Sequence, residues 1–228
     1  MILYAPIDDA ALADAYALDA ADPGEGYSCF GGTNVDSYMV APWAPGSDSW
    51  FYPEGTGVRM QANRPLIIQM HYSNASDNPL DSTTVNLHVE PEVNHELFAW
   101  FYINSDLEIP PETQNHKESV NYRMRNYLDI DRPMELLAIA PHMHKLGTAE
   151  FAQINHANGD STCLVDVPRW DFNWQHVYTF EEPITILPDD RLQMDCEYDS
   201  TGISGMTYWG DGTGDEMCLL TMFTTIQE

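Results

Sequence analysis

The chain has 228 residues, of which 36 are acidic and 9 are basic, so its formal net charge is −27. This charge would repel a polyanion, and it therefore excludes a role in binding nucleic acid. Hydrophobic residues make up 43% of the chain and aromatic residues 11%, a composition typical of a folded protein and not of a disordered acidic one. Because no run of 18 apolar residues occurs, the sequence predicts no membrane span.

The predicted elements are mostly short strands. The first regular segment, residues 10–21, is rich in alanine and compatible with a helix or with a loop that contains one or two helical turns. Alternating or apolar runs that predict strands then follow at 66–72, 84–89, 97–103, 136–140, 148–154, 178–180, 184–187, 192–198 and 218–226. Turn-forming residues such as Asn158-Gly159-Asp160 separate them. This rhythm predicts an all-β sandwich or barrel.

A domain boundary is expected near Glu90-Pro91-Glu92, which interrupts two strand-like runs. We therefore expect a first domain over residues 1–93 and a second over residues 94–228. The first domain contains few predicted strands and long loops rich in proline and glycine. So few strands are not expected to form a sandwich that is stable alone. We expect that something that completes this first domain is missing from the chain.

The clearest chemical feature is Pro141-His142-Met143-His144, which follows an apolar run. On a strand, residues two apart point to the same face, so His142 and His144 would present adjacent imidazoles suited to copper, zinc or iron. An equally weighted alternative is that both histidines face solvent or form hydrogen bonds in the core. Met217 adds a thioether, a soft ligand that favours copper cycling through Cu(I), although most methionines simply pack in cores.

The four cysteines, Cys29, Cys163, Cys196 and Cys218, form no C-x-x-C pair and do not predict a zinc site. Their even number is compatible with disulfides outside the cytosol. The aromatic block at residues 170–175 has two interpretations, core packing or stacking against a substrate, of which core packing is favoured.

Several motifs together resemble the copper type II ascorbate-dependent monooxygenases, the group of peptidylglycine α-hydroxylating and dopamine β-monooxygenases, and especially their bacterial members. The likeness covers nearly the whole chain and is densest from His142 onward. In chain order the motifs are Gln69-Met70-His71-Tyr72, His142-Met143-His144-Lys145-Leu146-Gly147, Cys196-Glu197-Tyr198 and Gly212-Thr213-Gly214-Asp215-Glu216-Met217-Cys218.

The resemblance implies two copper sites on two β-sandwich, jelly-roll-like domains. It further implies insertion of one oxygen atom from O2 into a C–H bond of a small-molecule substrate, with ascorbate as the electron donor. His142, His144 and Met217 would bind the oxygen-activating copper. His71 would bind the electron-transfer copper, with Gln69 as a hydrogen-bond partner nearby.

The same resemblance implies a disulfide between Cys196 and Cys218, and hence an oxidising, secreted or periplasmic location. The electron-transfer copper would also need an adjacent His-His pair, and none occurs in the sequence. We expect that pair immediately before residue 1, so that the first sandwich is incomplete at its N-terminus.

Substrate recognition is expected to differ from that of the peptide-amidating members. The positions that hold a substrate carboxylate there are Ala140, Leu219 and Thr221 in this chain, so a peptide C-terminus is not the expected substrate. The alternative to an enzyme is a non-enzymatic copper-binding β-sandwich that retains only the His/His/Met site.

Overall fold

The computed structural model describes residues 1–44, 47, 49–72, 82–212 and 214–227. Within them the chain forms fourteen strands and two helices, and the all-β fold expected from the sequence is confirmed. The chain divides into two compact units, Met1–Trp43 with Glu54–Glu96, and Ala44–Pro53 with Leu97–Glu228. None of the helices in the described ranges combines the length and apolar character needed to cross a membrane.

The first unit contains one three-stranded antiparallel sheet. Its elements are β1 (Ile2–Pro6), α1 (Asp9–Ala21), β2 (Ser37–Pro42), β3 (Thr56–Gly57) and β4 (Ile67–Gln69). The strand order in the sheet is β2-β1-β4. Its small core is formed by Leu3, Ala5 and Val40, against which partly buried side chains such as Tyr38 pack.

Residues 10–21, for which a helix and a loop were both open, belong to one continuous helix, α1. Asp8 caps its N-terminus, because its side chain accepts a hydrogen bond from the backbone N–H of Ala11 at 2.8 Å. Alanine has the highest intrinsic helix propensity, and Ala11 and Ala15 form the buried face. The helix therefore packs through small alanine side chains on one face.

The second unit is a two-layer sandwich. Its elements follow as β5 (His95–Ile103), β6 (Glu108–Ile109), β7 (His116–Arg123), α2 (Met124–Leu128), β8 (Met134–His142), β9 (Gly147–Asn155), β10 (Ser161–Val167), β11 (Tyr178–Ile186), β12 (Arg191–Tyr198), β13 (Thr207–Tyr208) and β14 (Leu219–Ile226). One layer has the order β10-β9-β12-β7 and the other contains β11-β8-β14-β5. The first two residues of β5, which belong to the first unit, pair with β3.

The strongly apolar runs predicted as strands are strands in the structure, but several other strands, among them the apolar β1 and the polar β7, were not predicted. Residues 178–180 and 184–187, predicted as two strands, fall almost entirely in the single strand β11. Residues 84–89, predicted as a strand, form none, although they lie within the described part of the chain. Conversely β7 is polar along most of its length, and it forms because it pairs residue by residue with β12 at the edge of the sheet.

The core of the sandwich lies between the two layers. Side chains that alternate along β8, β9, β12 and β14 fill it, among them Ile139, Ile154, Met194 and Met222, each 0% exposed. The predicted disulfide between Cys196 and Cys218 is present and links β12 in one layer to the residue before β14 in the other. Cys29 and Cys163 are free thiols.

Removal of this disulfide by the double substitution Cys196→Ala/Cys218→Ala should lower the free energy of unfolding. The bridge closes a loop with a sequence separation of 22, for which loss of chain entropy in the unfolded state predicts about 3 kcal/mol. Urea denaturation measures the change, and Cys163→Ser, at an exposed free thiol, should leave the midpoint unchanged. An unchanged midpoint in the double variant would show that the bridge does not support the sandwich.

Candidate metal centre

The two predicted histidine ligands lie together at the end of β8. His142 is the last residue of β8 and His144 follows in the turn to β9, and their ring centroids are 5.3 Å apart with the rings nearly perpendicular. His144 is buried, at 7% exposure. Gly147 keeps this turn tight, because a Cβ there would collide with the side chain of Met143. The predicted pair of neighbouring imidazoles is therefore observed.

Hydrogen bonds to the Nδ1 atoms fix the orientation of both imidazole rings. The Nδ1–H of His142 donates to the Oε1 atom of Gln175 at 2.6 Å, and the Nε2–H of Gln175 donates to the carbonyl of Phe172 at 2.7 Å, which orients the amide. The Nδ1–H of His144 donates to the carbonyl of Asp215 at 2.9 Å. Since both Nδ1 atoms donate to oxygen acceptors, Nε2 is the ring nitrogen through which each imidazole would bind a metal ion.

One buried carboxylate joins the two segments that carry the predicted ligands. The Oε2 atom of Glu216 accepts the backbone N–H of His144 at 2.9 Å and that of Met217 at 3.2 Å. Its Oε1 atom accepts the backbone N–H of Leu146 at 2.6 Å. Glu216 thus clamps the turn after β8 to the residue before Cys218, about 70 residues later in the chain.

The pKa of the Glu216 carboxyl is raised above its ordinary value. Burial, which leaves the side chain 1% exposed, raises its pKa, and the backbone N–H groups of Leu146, His144 and Met217 lower it. A second acid, Glu150, is equally buried, and the backbone of His142 partly offsets the effect of burial on its pKa. Burial raises the pKa of Glu150 well above its ordinary value.

Met217 is held by the residues on both sides of it. The hydroxyl of Tyr198 donates to the carbonyl of Met217 at 3.0 Å, and the disulfide anchors the next residue, Cys218. On the other side the Asp215 carboxylate accepts the backbone N–H of Gly212 at 3.1 Å and occupies the space that a side chain at Gly210 would need. The glycine-rich loop therefore closes over Asp215 and presents Met217, which is 8% exposed.

The donor set at this centre suits copper. Within the described ranges, no group of three or more His, Cys, Asp or Glu side chains is placed to hold a metal ion. The donors predicted for this centre are the imidazoles of His142 and His144 and the thioether of Met217. A thioether is a soft ligand that zinc rarely uses and Cu(I) accepts, so the residues present fit copper.

The residues predicted for the electron-transfer copper lie in the first unit. Gln69 ends β4 and is 4% exposed, and its Nε2–H donates to the carbonyl of Gly32 at 3.4 Å. His71 follows two residues later and is exposed. Among the described residues no second or third histidine accompanies it as a metal-binding group.

The chain matches the family model described as "Copper type II ascorbate-dependent monooxygenase, C-terminal domain" over residues 97–223. The chain belongs to the copper type II ascorbate-dependent monooxygenase family. The matched region contains His142, His144, Glu216 and Met217, and it excludes His71. The histidine pair and the clamp therefore lie in the part of the chain that defines its family membership.

Curated relatives are similar over most of this chain. "DBH-like monooxygenase protein 1" of Gallus gallus is 26% identical over 85% of the chain and 35% of its own length. "Peptidyl-glycine alpha-amidating monooxygenase A" of Xenopus laevis is 29% identical over 85% of the chain and 21% of its own length. "Putative DBH-like monooxygenase protein 2" of Homo sapiens is 26% identical over 86% of the chain and 42% of its own length. The chain thus spans less than half the length of each.

Three residues of this centre were missed by sequence reasoning. Glu216 stands inside the Asp-Glu-Met-Cys motif, and an acid that directly precedes an apolar strand is a signal that could have marked it. Gln175 and Trp170 gave no such signal, because their roles depend on how the loop between β10 and β11 folds back. The indole Nε1–H of Trp170 donates to the carbonyl of His144 at 3.2 Å.

Glu216→Gln should weaken Cu(I) binding about 10- to 100-fold, the range found when groups that orient metal ligands are removed. The amide has one acceptor oxygen where the carboxylate has two, so at least one buried N–H loses its partner, at a cost of about 1–3 kcal/mol in folding. Competition with a chromophoric Cu(I) chelator measures the affinity, and urea denaturation measures the stability.

Glu182→Gln, at an exposed position in β11, is the matched control and should behave like the parent chain. Parent-level Cu(I) affinity in Glu216→Gln would contradict the clamp.

Proposed function

We propose that this chain is part of a copper-dependent monooxygenase that hydroxylates a C–H bond of a small molecule with O2, using ascorbate as the electron donor. Residues 1–93 and 94–228 would contribute to its two β-sandwich domains. The observation that carries the proposal is the Glu216 clamp, which joins the backbone of His144 to that of Met217 inside the region matched by the family model.

Each side chain of the centre has a role in this proposal. The Nε2 atoms of His142 and His144 and the sulfur of Met217 would hold one copper ion. Bound there, copper would supply the one-electron chemistry that activates O2 for attack on a C–H bond. Gln175 and the Asp215 carbonyl keep both imidazoles in the tautomer that can bind, and Glu216 keeps the two ligand-bearing segments in register. Two electrons and two protons balance the reduction of the second oxygen atom to water.

The surface beside His142 favours an uncharged substrate group. Leu219 pairs with His142 across the sheet, and Thr221 pairs with Ala140. Cross-strand partners share a face, and residues two apart along a strand share it too, so these four side chains form one patch. The patch contains no cation, and a peptide C-terminal carboxylate would find no partner in it. We therefore propose a small substrate that presents an apolar or neutral region to the copper.

The electron-transfer role of His71, with Gln69 nearby, is also a proposal. The 228 residues contain no adjacent His-His pair, so a second copper site would need donors beyond His71. We further propose an exported, secreted or periplasmic protein. The disulfide between Cys196 and Cys218 supports export, because such bonds persist in oxidising compartments.

A non-enzymatic copper-binding sandwich is the second candidate function. One observation favours it, namely that the sequence has three predicted ligands for one copper, His142, His144 and Met217, and for the other copper only His71. The two candidates differ in copper stoichiometry and in redox activity, and both can be measured.

The test is copper stoichiometry together with ascorbate-dependent O2 uptake. We expect the 228-residue chain to bind one copper ion tightly, and the longest natural form of the protein to bind two and to consume O2 with ascorbate. His142→Ala should abolish the tight site and the O2 uptake, because one imidazole and a thioether bind copper weakly. His95→Ala, at an exposed histidine, is the control.

Two results would contradict the proposal in different ways. Tight copper binding that survives His142→Ala would show that the metal binds elsewhere. A two-copper protein that consumes no O2 with ascorbate would support the copper-binding alternative.

A further inference from the structure

A second concave surface lies next to the candidate metal centre in the same sandwich unit. It is a pocket of about 390 Å³, within the range of about 300–1,000 Å³ that small-molecule sites occupy. Its principal walls are Pro141, Arg169, Trp170, Trp174, His176 and Tyr178. The loop between β10 and β11 supplies most of them.

This pocket is distinct from the face that carries the histidines. Pro141 directly precedes His142 in β8, so the two side chains point to opposite faces of the sheet. Tyr178 pairs with Ile139, a core residue, and therefore faces the core side as well. The pocket thus opens at the edge of the sandwich, behind the strand that presents His142.

Hydrogen bonds hold the walls of the pocket in place. The backbone N–H of Trp170 donates to the carbonyl of Thr148 at 2.8 Å, and its indole is held by His144 as described above. The backbone N–H of Trp174 donates to the carbonyl of Asp171 at 2.8 Å. These bonds tie the loop to the sandwich, so binding would cost little free energy for ordering it.

Two aromatic side chains of the pocket are exposed. Trp174 is 68% exposed and Tyr178 40%, whereas Trp170 is half-buried against the core. The favoured core-packing interpretation of the aromatic block therefore describes Trp170 and not Trp174. The ring of Trp174 meets the ring of His176 at a centroid distance of 4.8 Å, which leaves a flat aromatic surface open to a planar group.

The positive charge of the pocket comes from Arg169. Its guanidinium is exposed and has no ion pair or hydrogen bond within the described ranges, in a chain with 36 acidic and 9 basic residues. Asp171 also lines the pocket, and its Oδ1 atom accepts the backbone N–H of Asn173 at 2.9 Å. A guanidinium beside exposed aromatic rings is the pairing that recognises planar carboxylates and enolates.

We propose that this pocket binds a small planar organic anion, whose negative charge pairs with Arg169 and whose ring contacts Trp174 and Tyr178. An aromatic carboxylate and the ascorbate monoanion, a planar enolate, share this chemistry. The bound anion would lie against the segment that positions His142, because Gln175 stands between Trp174 and His176 in the chain. Binding here does not depend on copper.

The test is isothermal titration of the copper-free chain with three probes: benzoate, ascorbate under nitrogen, and benzamide. Benzamide has the shape of benzoate without its charge. At least one of the anions should bind about tenfold more tightly than benzamide, and that preference should weaken as salt is raised. Tighter binding of benzoate assigns the pocket to an aromatic carboxylate, and tighter binding of ascorbate assigns it to the reductant.

Arg169→Gln should reduce the affinity for the bound anion about tenfold and leave benzamide binding unchanged. Arg132→Gln is the matched control, since Arg132 is also exposed and lies at the opposite end of β8. Trp174→Ala should weaken all probes that bind. Unchanged urea midpoints show that the variants are folded.

Three results would overturn the proposal: no binding of either anion, equal affinity for benzoate and benzamide, or parent-level anion affinity in Arg169→Gln. Copper stoichiometry is measured separately, so these failures leave the proposed monooxygenase function to its own test.

Discussion

The arrangement of the candidate metal centre depends on one buried carboxylate. Glu216 receives three backbone N–H groups from two segments that are far apart in sequence and meet only in the folded sandwich. Taking a carboxylate out of water is costly, and hydrogen bonds from pre-positioned donors offset that cost. A clamp of this kind fixes backbone positions without placing a charge among the metal donors, which remain neutral.

The sandwich positions the two segments that this clamp joins. One end is the turn after β8, kept tight by Gly147 and by the indole of Trp170. The other end is Met217, held by the Tyr198 hydroxyl and by the disulfide that links the two layers. Side-chain packing, the disulfide and the hydrogen bonds to Glu216 thus all fix the backbone near His144 and Met217. The net charge of −27 has a separate effect, which is to exclude nucleic acid as a partner.

The sequence predicted the fold class and the histidine pair because each has a local signal, namely apolar runs between turns and two histidines two residues apart. The disulfide was implied only by the resemblance to a known family. Polar strands such as β7 were not predictable, because pairing with β12 stabilises them and their own side chains do not. Gln175 was not predictable for a similar reason, since its contact with His142 spans 33 residues and depends on a loop conformation. The Glu216 clamp was not predictable either, because its hydrogen bonds join residues about 70 positions apart that meet only in the folded chain.

The central claim is that His142, His144 and Met217 bind one copper ion together. Copper K-edge X-ray absorption of the Cu(I)-loaded chain, measured beside Met217→Leu, tests it most directly, because leucine keeps the volume and removes the sulfur. The account predicts scattering from two imidazoles and one sulfur in the parent chain, with the sulfur contribution lost in the variant. A spectrum without sulfur in the parent, or with sulfur retained in Met217→Leu, would contradict it.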